Sequence, residues 1–275
     1  MSYKALYRTY RPQTFEDVAG QSHVTITLKN AIKENRIAHA YLFAGPRGTG
    51  KTTIAKILAK AINCTGDHPP CNECPNCKAI TQGDHPDVIE IDAASNNGVN
   101  EVRDLIDKVK YAPINAKYKV YIIDEVHMMT PEAFNALLKT LEEPPAHVKF
   151  ILATTEPQKL PATILSRCQR FDFKKISNEY IKTRLNYICE QDGIKIEEDA
   201  INTISVLSEG AMRDAISILE RCLQEGTEII TNEQVKELVG IPKLESVNKI
   251  INDILEYNID NAIKDVNETL ADGKD

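Results

Sequence analysis

The stretch YLFAGPRGTGKT, Tyr41–Thr52, places four apolar residues directly before a glycine-rich turn. Its last eight residues, Gly45–Thr52, match the P-loop pattern G-x-x-x-x-G-K-[ST] at every fixed position, and an apolar helical pattern at 52–62 follows without a gap. In this arrangement, backbone N–H groups and the positive end of the helix dipole bind phosphate. The stretch therefore predicts a strand, a phosphate-binding turn and a helix, which together begin an α/β fold. The alternative is a glycine-rich turn without a ligand.

Short β-branched runs alternate with helical patterns on both sides of this stretch, which is typical of a parallel sheet flanked by helices. We predict five strands, at 41–45, 87–92, 119–124, 149–155 and 170–173, and helices at 21–34, 52–62, 100–110 and 131–142. From about residue 178 the apolar positions recur only at helical spacing. These helical segments are 178–191, 197–208, 211–225, 231–239, 245–256 and 259–271.

The change of pattern predicts the domain organisation. We expect an α/β nucleotide-binding domain over residues 1–177, a small all-helical lid domain over 178–240, and the start of a helical C-terminal domain over 241–275. The last two helical segments are too few to enclose a core. We therefore expect them either to pack against something else or to belong to a longer protein.

The composition narrows the class of protein. Lys and Arg number 33 against 40 Asp and Glu, a formal charge of −7, so any contact with DNA needs a local basic surface. The N-terminal residues lack the apolar run of a signal peptide. The sequence also contains no run of about 18 apolar residues, the length needed to cross a bilayer. We therefore expect a cytoplasmic protein.

Two adjacent carboxylates, Asp124 and Glu125, end the third predicted strand, at the edge where α/β sheets bind ligands. Asp124 is predicted to hold Mg²⁺ together with Thr52, while Glu125 orients and deprotonates the attacking water. The alternative is that the two acids only cap the strand. Adjacent carboxylates at a strand end repel each other and cost stability unless a cation lies between them. Lys51 is predicted to reach the β- and γ-phosphates of ATP. The predicted nucleotide-binding residues of the turn and helix are Gly45, Pro46, Arg47, Gly48, Thr49, Gly50, Lys51, Thr52 and Thr53.

Four of the seven cysteines lie close together in the sequence, at Cys64, Cys71, Cys74 and Cys77. Four thiolates at this density fit a tetrahedral structural Zn²⁺ site. Iron–sulfur ligation and free thiols are the alternatives; the ferredoxin pattern would require a further three-residue gap to a Cys-Pro, which is missing. His68 and His85 are nearby spare ligands, and the other three cysteines are expected to pack as small apolar side chains.

The chain resembles the gamma/tau subunit family of the bacterial DNA polymerase III clamp loader. The members of this family are AAA+ ATPases. The resemblance runs essentially end to end, and the order and spacing of its motifs make chance an implausible explanation. The residues that carry it, besides the cysteine cluster, are YRPQTFEDVAGQ (10–21), HAYLFAGPRGTGKTT (39–53), IDAAS (91–95), YIIDEVHMMT (121–130), FNALLKTLEEPP (134–145), LATTEPQKLPATILSRC (152–168) and GAMRDAIS (210–217).

The resemblance implies roles for further residues. Thr155 would sense the γ-phosphate, Arg167 would be an arginine finger for the neighbouring subunit, and Arg213 would reach the nucleotide from the lid domain. The N-terminal stretch around Tyr7, Arg8, Arg11 and Val18 would contact the adenine and ribose. The zinc module at 64–77 would be inserted between the P-loop helix and the second strand.

The resemblance also implies ATP, Mg²⁺ and Zn²⁺ as cofactors. The partners it implies are the other subunits of a pentameric clamp loader, the sliding clamp and primed DNA. The implied function is to open the clamp and load it onto DNA during replication. Two alternatives remain, a nucleotide-gated replication scaffold and, on the motif Asp124-Glu125-Val126-His127, a DExH-type helicase.

Overall fold

The computed structural model describes residues 5–96, 98–226, 228–242 and 244–271. The chain forms two compact units: Arg11–Ser177 is the first, and the described residues of Met1–Tyr10 and Asn178–Asp275 make up the second. Residues 5–10, which were assigned to the nucleotide-binding domain from sequence, therefore pack with the helices of the second unit. Among the described residues, every helix is too short or too polar to cross a lipid bilayer.

Helices and strands alternate through the first unit and give way to helices in the second. The elements up to residue 177 are α1 (Leu6–Thr9), α2 (Ser22–Lys33), β1 (Ala40–Ala44), α3 (Lys51–Asn63), α4 (Pro75–Gln82), β2 (Val88–Asp92), α5 (Val99–Val109), β3 (Lys119–Asp124), α6 (Pro131–Glu142), β4 (Val148–Thr154), α7 (Ala162–Leu165) and β5 (Gln169–Asp172). The elements after it are α8 (Asn178–Asp192), α9 (Glu198–Leu207), α10 (Met212–Gln224), α11 (Asn232–Val239), α12 (Leu244–Leu255) and α13 (Ile259–Ala271).

The five strands form one parallel sheet with the order β2-β3-β4-β1-β5, so the predicted five-stranded parallel sheet is confirmed. At its carboxyl edge Ala44 pairs with Thr154, and Asp92 pairs with Asp124. The ends of β1, β3 and β4 therefore lie side by side, with the P-loop following β1. This strand order places the predicted phosphate-binding turn beside the predicted acidic residues.

Both faces of the sheet are covered by helices, which explains the nearly continuous apolar sequences of β1, β3 and β4. On one face the strands pack against α5 and α6, through Tyr121, Phe150, Leu105, Phe134 and Leu137. On the other they pack against α2 and α3, through Phe43, Ile122, Leu28, Ile54 and Leu58. The buried face of α3 holds the P-loop firmly against the sheet.

The second unit consists of helices and includes the short N-terminal helix α1. The backbone N–H of Leu6 donates to Glu220 of α10 at 3.0 Å, and Arg184 of α8 donates to the carbonyl of Tyr10 at 2.7 Å. The ring of Tyr10 also meets Tyr187 edge-on, with 6.4 Å between the centroids. These contacts explain why residues 5–10 belong with this unit.

Helix α4 is a difference from the sequence analysis, which predicted the cysteine cluster but no helix within it. Cys74 caps this helix by accepting a hydrogen bond from the N–H of Cys77, Pro75 occupies its first turn, and Gly83 ends it in the left-handed conformation. The helix spans eight residues and begins inside the cysteine cluster. Its capping signals were present in the sequence but were interpreted only as metal-ligand spacing.

Candidate nucleotide-binding site and metal centre

The turn between β1 and α3 has a shape that depends on glycine. The N–H of Gly45 donates to the carbonyl of Thr154 at 3.2 Å, and its φ is +149°. A Cβ atom at this position would lie 2.4 Å from the carbonyl oxygen of Phe173. Gly50 precedes α3 in the left-handed conformation and has no side chain to cap the helix. The first N–H groups of α3 are therefore without a side-chain cap, as an anion-binding helix terminus requires.

Lys51 lies inside this turn with 6% of its surface exposed. Its Nζ donates to the carbonyl oxygens of Gly45 at 2.9 Å and Pro46 at 2.8 Å. Burial lowers the pKa of Lys51, and the carboxylates of Glu125 and Asp124 act in the opposite direction. The ammonium group is thus held within the P-loop close to the two acids at the end of β3.

The two residues predicted to hold Mg²⁺ are in direct contact. The hydroxyl of Thr52, in the first turn of α3, donates to Oδ2 of Asp124 at 2.5 Å. The other oxygen of Asp124 accepts the backbone N–H of Glu125 at 3.0 Å. A hydroxyl and a carboxylate therefore lie together beside Lys51. Both provide oxygen ligands, which Mg²⁺ prefers.

Glu125 adopts the left-handed conformation, with a φ of +46°, which is uncommon for a residue other than glycine. Its Oε2 accepts the hydroxyl of Thr155 at 3.1 Å. The Nδ1 atom of the buried His127 lies 3.4 Å from the same oxygen and 3.0 Å from the hydroxyl of Thr154. The structure thus brings together Glu125 and Thr155, as well as His127 and Thr154, to which the sequence analysis gave no role. The motif Asp124-Glu125-Val126-His127 was the sequence signal that could have indicated a role for His127.

Arg167 follows α7 and takes part in a separate set of contacts. One guanidinium nitrogen lies 2.5 Å from Oε1 of Glu142, and the other donates to the carbonyl of Thr163 at 2.6 Å. The side chain is partly exposed. Among the described residues, Arg167 is therefore bonded to Glu142 of α6 and Thr163 of α7, and not to Asp124 or Glu125.

The segment that contains Arg11 and Val18 is shaped by a tight turn. Asp17 Oδ2 accepts the backbone N–H groups of Gln13 at 3.2 Å and Thr14 at 3.0 Å, and the Gln13 amide donates to the carbonyl of Arg11 at 2.9 Å. Val18 packs against the apolar cluster beneath β1. The two predicted adenine contacts thus flank one ordered turn of the first unit.

Arg213 lies in the second unit, in the first turn of α10. Its guanidinium carbon is 4.8 Å from the centroid of the Tyr7 ring, and that of Arg8 is 5.8 Å from the same centroid. These are cation–π distances. The predicted lid arginine, Arg213, therefore packs against the Tyr7 ring of α1.

The four clustered cysteines form a compact set of sulfur atoms. The Sγ atoms of Cys64, Cys71, Cys74 and Cys77 all lie within 4.8 Å of one another. Backbone N–H groups donate to three of them: Gly66 and Cys71 to Cys64 at 3.4 Å, Cys74 to Cys71 at 3.3 Å, and Cys77 to Cys74 at 3.4 Å. Such hydrogen bonds favour thiolates, and the all-sulfur donor set fits a closed tetrahedral site.

His85 has other partners and does not act as a spare ligand. Its Nε2 lies 3.3 Å from the side-chain oxygen of Asn76, and its Nδ1 accepts the backbone N–H of Asp87 at 3.1 Å. Burial lowers the pKa of His85, which favours the neutral ring. This histidine joins the module to the start of β2.

Comparisons with known proteins agree with this geometry. A family model described as DNA polymerase III, delta subunit, matches residues 20–177, and one described as DNA polymerase III clamp loader subunit, ATPase lid domain, matches residues 180–228. The chain is 53% identical to DNA polymerase III subunit tau of Bacillus subtilis over all of its own length and 49% of that protein's. It is 43% identical to DNA polymerase III subunit gamma of Buchnera aphidicola (subsp. Baizongia pistaciae), with 96% of this chain and 72% of that protein covered.

A solved structure of the Thermotoga maritima RuvB Holliday junction branch migration motor has the same fold. It aligns with a TM-score of 0.64 at 18% identity and covers 90% of this chain and 80% of its own. The chain spans about half the length of the tau subunit that it matches. Because one family model spans most of the first unit and a gamma subunit is matched over most of its length, the chain belongs to the DNA polymerase III clamp-loader subunit family, among the gamma and tau subunits.

Proposed function

We propose that this chain is the ATP-hydrolysing part of a DNA polymerase III clamp-loader subunit, which opens the sliding clamp and loads it onto primed DNA. The observation that carries the proposal is the meeting of Lys51 with two polar pairs, Thr52–Asp124 and Glu125–Thr155, at one edge of the sheet. The membership of the family supports the wider role, and we place the protein in the cytoplasm as one subunit of a pentameric assembly.

The P-loop would bind the triphosphate. Backbone N–H groups of Gly45–Thr53 and the N-terminus of α3 would surround the β-phosphate, with Pro46, Arg47, Gly48 and Thr49 forming the turn. Lys51 would exchange its two carbonyl acceptors for phosphate oxygens, which are charged and therefore stronger partners. Arg11 and Val18 would contact the adenine and ribose.

Thr52 and Asp124 would hold Mg²⁺, which when bound neutralises charge on the phosphate oxygens. Glu125 would accept a proton from the attacking water while the hydroxyl of Thr155 keeps its carboxylate oriented. His127 contacts the same carboxylate oxygen, which supports a role in positioning Glu125.

The two arginines would link hydrolysis to assembly. Arg167 would stabilise charge on the nucleotide of a neighbouring subunit, for which it has to exchange Glu142 for a phosphoryl group. Arg213 would approach the nucleotide from the lid domain. We propose domain limits of 1–177, 178–240 and 241–275, with Cys64, Cys71, Cys74 and Cys77 holding a structural Zn²⁺.

The test is a mixing experiment on the reconstituted clamp loader. Assemblies are prepared with Lys51→Ala in some copies of this subunit and Arg167→Ala in the others, and turnover stimulated by DNA and the clamp is measured. Shared sites predict that mixed assemblies recover turnover that neither variant shows alone. Binding of ATP without turnover in the wild-type assembly would favour a nucleotide-gated scaffold, and strand displacement would favour a helicase.

A further inference from the structure

Lys60 is a second buried lysine on α3, with 1% of its surface exposed. Its Nζ donates to the backbone oxygen of Gln13 at 2.9 Å, to the side-chain oxygen of Gln13 at 2.8 Å and to the side-chain oxygen of Asn72 at 2.7 Å. All three acceptors are uncharged. A buried ammonium group is costly unless negative charge lies nearby. The proposed hydrolysis of ATP makes no use of this residue.

The cysteine cluster would supply that negative charge. Asn72 lies in the loop between Cys71 and Cys74, in the left-handed conformation with a φ of +58°. Four thiolates around one divalent ion carry a formal charge of −2. Burial lowers the pKa of Lys60, and the sulfur of Cys77, the carboxylate of Asp17 and the sulfur of Cys71 act in the opposite direction. A loaded metal site would therefore favour the charged form of Lys60.

The other partner of Lys60 leads to the nucleotide site. Gln13 lies between Arg11 and Val18, the proposed adenine contacts, and its amide donates to the carbonyl of Arg11 at 2.9 Å. The hydroxyl of Thr81, on α4, donates to the side-chain oxygen of Gln13 at 3.4 Å. Gln13 thus accepts two bonds from Lys60 and one from Thr81, and its amide makes a fourth bond, to the backbone of Arg11.

We propose that Lys60 is a positioning residue that couples metal binding at the cysteine cluster to nucleotide binding. It does so by holding Asn72 of the metal-binding loop and Gln13 of the adenine-binding segment at the same time. The inference rests on the proposed function and assigns a regulatory role to the metal site. Loss of the ion releases Asn72 and removes the charge of the thiolates, so segment 11–18 is held less firmly in the conformation that binds nucleotide. Since coupling between two ligands is reciprocal, ATP strengthens metal binding by the same factor.

The test measures ATP affinity by calorimetry in zinc-loaded and zinc-depleted protein, for the wild type and for Lys60→Met. Zinc depletion is expected to weaken ATP binding by at least about fivefold in the wild type, a typical size for coupled sites. In Lys60→Met the affinity is lower and the same with and without zinc. ATP is also expected to slow the transfer of zinc to a chelator in the wild type and to have no effect on that transfer in the variant.

Three further variants separate coupling from general destabilisation. Lys56→Met lies on the same helix, where Lys56 pairs with Glu90 at 2.6 Å, and it should keep the full zinc dependence. Gln13→Leu removes the side-chain bonds of Gln13 but leaves its backbone oxygen as an acceptor for Lys60, so it should lose part of the zinc dependence without changing α3. Lys60→Arg keeps a charged donor and should restore part of the dependence.

Three results would overturn the inference alone while leaving ATP binding by the zinc-loaded wild type intact. They are equal ATP affinity with and without zinc in folded wild type, full zinc dependence in Lys60→Met, and zinc transfer from the wild type that ATP does not slow. The last measurement uses loaded protein and still decides if depletion unfolds the chain. A zinc-loaded wild type that fails to bind ATP would overturn the proposed function together with the inference.

Discussion

The two ends of α3 carry similar side chains in different surroundings. At the start of the helix, buried Lys51 donates to two P-loop carbonyls and lies near the carboxylates of Asp124 and Glu125. Towards its end, buried Lys60 donates to the uncharged oxygens of Gln13 and Asn72 and lies near the cysteine cluster. A buried ammonium without an ion pair indicates a place where an anion belongs.

The difference between the two ends lies in what anion each one suits. The open glycine-rich turn around Lys51 suits an exchangeable phosphate, whereas the closed surroundings of Lys60 suit a permanent metal thiolate centre. We therefore propose that one end serves turnover and the other holds a metal centre, which affects nucleotide binding only through Lys60. Three of the four predictions below test this division and one tests the buried Asp87; they run from the largest expected effect to the smallest.

Glu125→Gln should lower ATP turnover by about 10³-fold, because the amide cannot accept the proton of the attacking water. ATP affinity should change by less than about threefold, since the substitution leaves Lys51 and the P-loop intact. Phosphate release by the reconstituted assembly measures the first quantity and calorimetry the second. Turnover at the wild-type rate would mean that Glu125 is not the base.

Lys51→Ala should weaken ATP binding by about 100-fold, the value of two charged hydrogen bonds to phosphate oxygens. Zinc transfer to a chelator in the absence of ATP should be unchanged, because Lys51 belongs to the turnover end of the helix. Calorimetry and a chelator assay on one preparation provide both results. A variant that also lost zinc faster in the absence of ATP would show that the metal centre depends on Lys51 itself.

Asp87→Asn should destabilise the protein by about 2 kcal/mol, because its buried carboxylate accepts the N–H groups of Ile114, Asn115 and Ala116 at 2.7 to 3.0 Å. Burial acts to raise the pKa of Asp87, but the hydrogen bonds from Asn115, Ile114 and Ala116 hold it below its usual value. The carboxylate therefore contributes stability above its unfolded pKa of about 3.9, and that stability is lost as pH falls through the folded pKa.

Urea unfolding of Asp87→Asn and wild type at pH 7 and near pH 3 measures this contribution, and the difference between the two proteins should shrink at the lower pH. Asp107→Asn is the matched control, since Asp107 pairs with Lys110 on the surface. A difference that grows with acid would reverse the sign and contradict the assignment.

Lys56→Met should change stability by less than about 1 kcal/mol, because Lys56 and Glu90 are a partly exposed pair, with 23% and 41% of their side chains accessible. Neither ATP nor zinc binding should change, since Lys56 serves neither end of α3. Urea unfolding and the two binding assays test these expectations together. If Lys56→Met lost the zinc dependence of ATP binding as Lys60→Met does, the coupling would belong to the helix as a whole.

The P-loop, the acids of β3 and the cysteine cluster were predictable because each lies within one short stretch of sequence. The chemistry of a phosphate turn fixes the spacing of Gly45, Gly50 and Lys51, and the four cysteines lie within fourteen residues. Strands β1, β3 and β4 were equally clear, because strands buried on both faces of a parallel sheet require continuous apolar runs. Helix α4 was missed because it begins inside the cysteine cluster, whose spacing was interpreted as metal ligation.

The sequence by itself therefore determined the fold class and the local motifs. Tertiary structure decided which distant residues meet: His127 with Thr154 beside Glu125, and Lys60 with Gln13, 47 positions away in the chain. It also decided that residues 5–10 pack with the helices of the second unit. A single His, Lys or Gln has no local pattern that specifies its partner, because the partner is set by the order of strands and by which helix covers which face.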